Sequence, residues 1–104
     1  MGIKLKHSDG LVSFMCPGCN SIHTIGISYD EVFPEKPLWG WNNSDTSPTF
    51  TPSINSRVGP FPDGSFRICH SFVRDGHIQY LGDCTHAMAG KTAEIPDFPF
   101  EVWE

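Results

Sequence analysis

Apolar and polar residues alternate along several short segments of the chain, and glycines and prolines separate these segments. Residues 11–15 (LVSFM) and 22–27 (IHTIGI) have the length and pattern of β-strands on either side of a tight turn at 16–20. Residues 30–37 contain two prolines and are expected to form a loop with at most one helical turn. The first third of the chain therefore predicts a short antiparallel hairpin.

A second hairpin is indicated more strongly, by Asp75-Gly76 between two segments rich in β-branched and aromatic residues, 65–73 and 77–82. With Asp75 and Gly76 in the turn, residues equidistant from it pair and share a face of the sheet. One face then carries Ile68, His70 and Phe72 with Gln79, Leu81 and Asp83, and the other carries Cys69, Ser71 and Val73 with Ile78, Tyr80 and Cys84. This register turns Cys69 and His70 to opposite faces and makes Cys84 a diagonal neighbour of Cys69.

The segment between the hairpins, residues 38–54, is rich in tryptophan and proline. Trp39 and Trp41 are two residues apart, so in an extended chain they face the same side. Pro48 and Pro52 lack the N–H group that a β-ladder needs, which predicts an edge strand or an ordered loop. The aromatic rings here, including Phe50, are expected to pack in the core. Their alternative role is a rim that holds an extended peptide by β-addition.

The last fifth of the chain is expected to be irregular. Residues 84–92 predict a short helical turn that ends at Gly90, and residues 94–103 predict an edge strand that packs on the sheet. The fold class that follows is a small, mostly β single domain over residues 1–104, or an α+β domain with little helix. Antiparallel hairpins and long irregular loops are its expected features.

Composition and charge narrow the function classes. Ten glycines and nine prolines among 104 residues favour loops and short strands over long helices. The formal net charge of −5 opposes nonspecific nucleic-acid binding, which needs lysine and arginine to release counterions. No apolar run approaches the roughly 18 residues of a membrane span, and the first ten residues lack the apolar core of a secretory signal. We therefore expect no nucleic-acid or membrane partner and a cytoplasmic location.

Four cysteines in a cytosolic chain are expected to be reduced, which favours metal binding or catalysis over disulfides. The sequence Cys16-Pro-Gly-Cys19 has the spacing that lets two thiolates reach one tetrahedral Zn²⁺ ion, and Gly18 permits the tight turn. No βαβ pattern surrounds this motif, which opposes a thioredoxin-like redox site. Two complete ligand sets are available: Cys16, Cys19, Cys69 and Cys84, or Cys16, Cys19, His23 and Cys69. A zinc-stabilised domain is the expectation in either case.

Three blocks of the sequence resemble a known family: CPGC followed by His23, then WGWN with PTFTPSI, then CHSFVRDGHIQYLGDCTHAMAGKTAEIP. The family is a small group of phage and prophage zinc-binding proteins often mislabelled "ammonia monooxygenase", a label that a chain without a membrane span does not fit. The resemblance covers about residues 14–97. Relatives occur in bacterial operons for ubiquitin-like conjugation, as peptidases thought to process or remove the tag. The resemblance implies a hydrolase in the bacterial host cytosol, with a protein or peptide partner that includes ubiquitin-like proteins.

The resemblance also bears on Cys84. The family pattern D-[S or C]-T-H is similar to Asp83-Cys84-Thr85-His86 in this chain. Because serine at the second position would be a poor zinc ligand, the resemblance implies that Cys84 is a candidate nucleophile. The metal ligands are then expected to be Cys16, Cys19, His23 and Cys69.

A nucleophile needs a base, and the base needs an orienting group. His70 and Asp83 share a face in the predicted register, which suits a base and its orienting carboxylate, and His86 lies two residues after Cys84. Ser53 and Ser71 are alternative nucleophiles. A metallo-hydrolase in which His70, Asp83 and His86 hold a second ion ranks lower, because the chain has no H-E-x-x-H motif.

The sequence therefore predicts a zinc-stabilised hydrolase, a peptidase or deconjugase that acts on a peptide or ubiquitin-like tail. Its expected catalytic residues are His70, Asp83, Cys84 and His86. The alternative is a non-catalytic zinc module that binds a phage or host protein. The small size of the chain and the absence of a complete catalytic motif favour this alternative.

Overall fold

The structure of the protein, a computed structural model, describes residues 2–28 and 38–99. These residues form β-strands and turns in two antiparallel sheets, which confirms the prediction of a small, mostly β fold. The strands in chain order are β1 (Lys6–Ser8), β2 (Leu11–Cys16), β3 (Ser21–Gly26), β4 (Gly40–Trp41), β5 (Phe50–Val58), β6 (Arg67–Arg74), β7 (His77–Tyr80) and β8 (Thr92–Glu94).

The first sheet has the strand order β1-β2-β3, and its β2–β3 hairpin is the one that the alternation predicts. Along β2, every second side chain is buried, and Val12, Phe14 and Cys16 face the core. Cys16 pairs with Ser21, so residues 17–20 form the turn between the two strands. Strand β1 escapes sequence analysis because its three residues are polar and exposed and show no alternation.

The second sheet has the order β4-β5-β6-β7-β8. Strands β6 and β7 pair in the predicted register, with Val73 opposite Ile78. Asp75 and Gly76 have φ values of 50° and 79°, the left-handed conformation that a type I′ hairpin turn requires. The predicted two-sided pattern follows, because the Cys69 face of this hairpin is buried and the His70 face is partly open to solvent.

Strand β5 lies between β4 and β6 and contains an irregularity. Phe50 pairs with Val73, but Ile54 pairs with Ser71, so three residues of β5 oppose only Phe72. Pro52 stands in this β-bulge, where its missing N–H group leaves no ladder bond unmade. The predicted edge strand or loop is thus an inner strand, which ends at Val58, directly before Gly59-Pro60.

The end of the chain differs from the prediction. Residues 84–92 contain turns but no helix, because the Gly90 N–H and the Lys91 carbonyl bond to the Tyr80 backbone and hold this segment against β7. The predicted edge strand is instead β8. Residues 95–99 continue outside the sheet, where Pro96 and Pro99 have no backbone N–H group to donate.

The loop predicted at 30–37 and residues 100–103 lie outside the described residues. Within residues 2–28 and 38–99, no helix is long and apolar enough to cross a membrane.

One core joins the two sheets. Phe14 of the first sheet stacks on Phe50 of the second, with ring centroids 6.2 Å apart. Trp39 and Trp41 pack against this core from the β4 segment, in line with the expected role of these rings. The other buried apolar residues include Leu5, Val12, Ile25, Ile54, Val73, Ile78, Tyr80 and Ile95.

The Phe14 ring is expected to be a major source of stability. Phe14→Ala removes a fully buried ring from between the sheets and should lower the free energy of unfolding by about 3–5 kcal/mol, measured by urea denaturation. Val58→Ala is the control, because Val58 is 51% exposed and should change the same quantity by no more than about 0.5 kcal/mol. Equal losses in the two variants would contradict a core centred on Phe14.

Candidate functional site

Strand β6 positions chemically active side chains on both faces of the second sheet. Successive residues of a strand point to opposite faces. Cys69 is buried against the core, whereas the His70 side chain is 25% exposed on the outer face. A polar site on the outer face and a cysteine-rich site on the inner face therefore lie back to back across one strand.

On the outer face, His70 contacts a serine and a carboxylate at the same time. Its Nδ1 lies 3.1 Å from Asp83 Oδ2, and its Nε2 lies 3.1 Å from Ser53 Oγ. With the carboxylate accepting a hydrogen bond, Nδ1 carries the proton and Nε2 accepts from the Ser53 hydroxyl. Ser53, His70 and Asp83 thus form a Ser-His-Asp chain, a geometry that occurs in proteins with different sequence orders of the three residues.

The partners of His70 come from bulges, one in β5 and one in the segment that follows β7. Ser53 is the last residue of the β5 bulge, and the indole Nε1–H of Trp39 donates to its carbonyl oxygen at 3.2 Å. After β7, the Leu81 N–H still bonds to the His70 carbonyl, but the next bond to β6 runs from the Thr85 N–H to the Ile68 carbonyl. Residues 82–84 therefore bulge out of the ladder, and the Asp83 side chain reaches the imidazole from this bulge.

The structure separates the other predicted catalytic residues from the imidazole. Cys84 is buried, and its Sγ contacts the backbone N and O of His70, each at 3.2 Å. His86 lies on the inner side, with Nε2 at 3.4 Å from Cys69 Sγ. Ser71 is 1% exposed on the core face of β6. Of the predicted nucleophiles, Ser53 alone forms a hydrogen bond with the His70 ring among the described residues.

On the inner face, four ligand atoms come together. The Sγ atoms of Cys16, Cys19 and Cys69 and one ring nitrogen of His23 lie within 4.8 Å of one another, so this Cys/His cluster could hold a metal ion. The first sheet supplies three of these residues, and β6 supplies Cys69. Cys84 is grouped with Cys69 and His86 rather than with the CxxC pair. The cluster thus corresponds to the predicted set that contains His23.

The spacing and the partners of these atoms fit a tetrahedral metal ion. Cys16 Sγ and Cys69 Sγ are 3.8 Å apart, and a tetrahedron with metal–sulfur bonds of about 2.3 Å has edges of about 3.8 Å. His23 Nε2 is buried and has no hydrogen-bond partner among the described residues, an arrangement that a metal bond would satisfy. Around Cys16 Sγ, the Cys19 N–H donates at 3.4 Å, and the Tyr80 hydroxyl lies at 3.1 Å.

The Sγ atoms of Cys16 and Cys69 are within hydrogen-bond distance of each other. The contact with Cys69, with smaller contributions from His23 and Tyr80, holds the pKa of Cys16 well below its usual range. The same contact together with burial raises the pKa of Cys69. Burial and the neighbouring Cys16 thiolate also raise the pKa of Tyr80, whose hydroxyl remains a donor. These shifts favour a thiolate at Cys16, which is the form of a cysteine that binds a metal ion.

His86 is wedged against the CxxC turn. A Cβ atom on Gly18 would lie 2.4–2.8 Å from three atoms of the His86 ring, and the ring packs edge-on against Tyr80 at 4.6 Å between centroids. His86 Nδ1 accepts a hydrogen bond from the Met88 N–H at 3.2 Å. In a neutral imidazole the proton is then on Nε2, which donates to Cys69 Sγ.

The chain matches a known protein family. The model of the family BubE, described as a bacterial ubiquitination-like system serine protease, matches residues 2–81. This match supports the expected link to ubiquitin-like conjugation systems, and it makes no statement about phages or zinc. No curated protein and no solved structure matches the chain. The matched region includes Ser53 and His70 and ends two residues before Asp83.

Because Gly18 and His86 approach closely, the stability of the fold should fall when the residue at position 18 becomes larger. Gly18→Ala should lower the free energy of unfolding by about 1–3 kcal/mol, because the new methyl group displaces the His86 ring. Thermal unfolding measures the effect. The control is Gly82→Ala, where nothing lies within 4 Å of the added Cβ, and its effect should stay within about 0.5 kcal/mol. An unchanged Gly18→Ala variant would show that His86 does not pack on the turn.

Proposed function

The chain belongs to the BubE family of bacterial ubiquitination-like system serine proteases, and from this membership we propose that it is a serine protease whose nucleophile is Ser53. His70 is the general base and Asp83 the residue that orients it. The observation that carries the proposal is the placement of the His70 imidazole, 3.1 Å from both Ser53 Oγ and Asp83 Oδ2. Ser53 takes the role that sequence analysis assigns to Cys84, because the Cys84 thiol contacts the His70 backbone and not its ring.

The three side chains support acyl transfer. His70 Nε2 removes the proton from Ser53 Oγ as this oxygen attacks the carbonyl carbon of the scissile bond, and Asp83 stabilises the imidazolium. Collapse of the tetrahedral intermediate breaks the bond to the leaving amine, which takes the proton from Nε2. A water molecule, deprotonated by the same nitrogen, then hydrolyses the acyl-enzyme and frees Ser53.

The proposed substrate is the C-terminal tail of a ubiquitin-like protein, either in a precursor with a C-terminal extension or in a conjugate. The family's place in a ubiquitination-like system supports this class of partner. An extended tail suits the location of the triad, because Ser53 and His70 are partly accessible on the outer face of the sheet rather than in a deep pocket. Both substrates release an amine from a C-terminal carbonyl, so one mechanism serves both.

We further propose that zinc occupies the Cys16, Cys19, His23 and Cys69 cluster. The three thiols and one imidazole are a ligand set that structural zinc sites use, and the orphaned His23 Nε2 and the 3.8 Å sulfur–sulfur spacing support it. When bound, the ion links the first sheet to β6. Chemistry at the scissile bond falls to the opposite face, so the ion's role is structural.

His86 supports this site without binding the ion. Its Nδ1 accepts from Met88, which leaves Nε2 as a donor to the Cys69 sulfur rather than a ligand. The contact explains the position of His86 on the inner face, away from the catalytic role that sequence analysis predicts for it.

The role of Ser53 predicts the loss of cleavage in one substitution. Ser53→Ala should lower kcat/KM by at least about 10³-fold on a ubiquitin-like protein with a fluorescent C-terminal tag, because it removes the nucleophile. Ser56→Ala is the matched control, since Ser56 lies on the same strand and is also half-buried, and it should retain activity within about threefold. Equal cleavage by both variants would exclude Ser53. No cleavage by the wild type would exclude this substrate class.

The ligand assignment predicts different effects for two histidines. His23→Ala should abolish tight zinc binding, whereas His86→Ala should keep one zinc ion per chain with an affinity about 10–100-fold lower, because it removes only a donor to a ligand. Native mass spectrometry gives the stoichiometry and chelator competition gives the affinity. His77→Ala, on an exposed histidine that belongs to neither Cys/His group, should match the wild type. Loss of stoichiometric zinc in His86→Ala with retention in His23→Ala would reverse the assignment.

A further inference from the structure

Side chains of the bulge at residues 82–84 contact His70 on both faces of the sheet. On the outer side, Asp83 Oδ2 contacts the imidazole Nδ1. On the inner side, the next residue, Cys84, places its Sγ against the backbone of the same histidine, 3.2 Å from N and 3.2 Å from O. Two consecutive side chains therefore contact one residue, one at its ring and the other at its main chain.

These contacts suit Cys84 as a thiol rather than as a metal-bound thiolate. The His70 N–H donates to the sulfur, and the bond to the His70 carbonyl oxygen requires a hydrogen on the sulfur. A thiolate bound to a metal has no such hydrogen. The Cys84 side chain thus acts as a neutral thiol that both accepts and donates, and the residue is only 9% exposed.

The Asp83–His70 contact needs such support. The Asp83 side chain is 55% exposed, and an exposed hydrogen bond gains little net free energy against solvation and the loss of side-chain freedom. A carboxylate that must stay within hydrogen-bond distance of Nδ1 therefore depends on how its backbone is held. The Cys84 thiol holds this backbone against β6 at His70, the residue whose ring Asp83 contacts.

We propose that Cys84 is a positioning residue, whose thiol fastens residues 82–84 to the His70 backbone and thereby holds the Asp83 carboxylate on the His70 ring. The proposal rests on the proposed function for its effect on catalysis, but the effect on the Asp83–His70 hydrogen bond is independent of any substrate. It gives Cys84 a role in the reaction that involves neither nucleophilic attack nor metal binding.

Thr85 provides a matched comparison. Its Oγ1 makes the same pair of contacts with the next outward-facing residue of β6, 3.0 Å from the Ile68 N and 3.3 Å from the Ile68 O. Thr85→Val removes these two hydrogen bonds to Ile68 and leaves the Cys84 contacts with the His70 backbone in place. A loss of stability alone is therefore separable from a loss of positioning.

The experiment compares Cys84→Ala, Cys84→Ser and Thr85→Val on the zinc-loaded protein with the tagged ubiquitin-like substrate. Cys84→Ala should lower kcat by about 10–100-fold with KM within about twofold, because a displaced carboxylate affects the reaction more than binding. Cys84→Ser should retain most of kcat, since a hydroxyl group also accepts and donates. Thr85→Val should retain kcat even where its Tm falls as far as that of Cys84→Ala.

A second readout needs no substrate. In ¹H NMR, the Nδ1 proton of His70 held by Asp83 should give a low-field signal, identified by its absence in His70→Gln. The signal should persist in Cys84→Ser and Thr85→Val and disappear in Cys84→Ala. If Cys84→Ala does not fold, Cys84→Ser decides: loss of the signal or of kcat in the folded serine variant overturns the proposal.

The outcomes separate the two proposals. If the wild type cleaves nothing but the NMR pattern is as expected, the proposed function fails and the positioning role stands. If the wild type cleaves and Cys84→Ala keeps both kcat and the low-field signal, the positioning role is wrong. Loss of zinc in both Cys84 variants would also overturn it, because Cys84 would then be a metal ligand.

Discussion

The alternation of strand β6 is the constraint on which the rest of the structure depends. A strand turns neighbouring residues to opposite faces, so Cys69 and His70 belong to different environments although they are adjacent in sequence. Cys69 joins the cysteine and histidine cluster of the buried face, and His70 joins Ser53 and Asp83 on the outer face. A shift of β6 by one residue would exchange the two environments and destroy both sites.

A different structural feature assembles the side chains on each face of β6. The inner cluster takes Cys16, Cys19 and His23 from one sheet and Cys69 from the other, so metal binding there adds directly to the stability of the fold. On the outer face, bulges in the strands on either side of β6 bring Ser53 and Asp83 to the imidazole. Because a domain of this size is marginally stable on its hydrophobic core alone, a metal ion in the inner cluster would also stabilise the sheet that holds the proposed triad.

Sequence analysis predicts the part of this arrangement that regular periodicity determines. The Asp75-Gly76 turn sets the β6–β7 register, and the opposite faces of Cys69 and His70 follow from it. The same register, extended past Tyr80, predicts a shared face for His70 and Asp83 and places Cys84 near Cys69. The structure has both contacts, but residues 82–84 make them from a bulge that the register does not predict. The position of Ser53 does not follow, because the two extra residues of the β5 bulge shift its pairing and leave no periodic signal except Pro52. The family match supports a serine nucleophile but does not select among the serines of the chain.

The most direct test of this account is to treat the zinc-loaded protein with a fluorophosphonate, which reacts with activated serines, and to map the modified residue by peptide mass spectrometry. The account predicts one adduct per chain, on Ser53, and none in His70→Gln. An adduct on a different residue, or no adduct on folded protein, would contradict the assignment of Ser53, His70 and Asp83 as the catalytic triad.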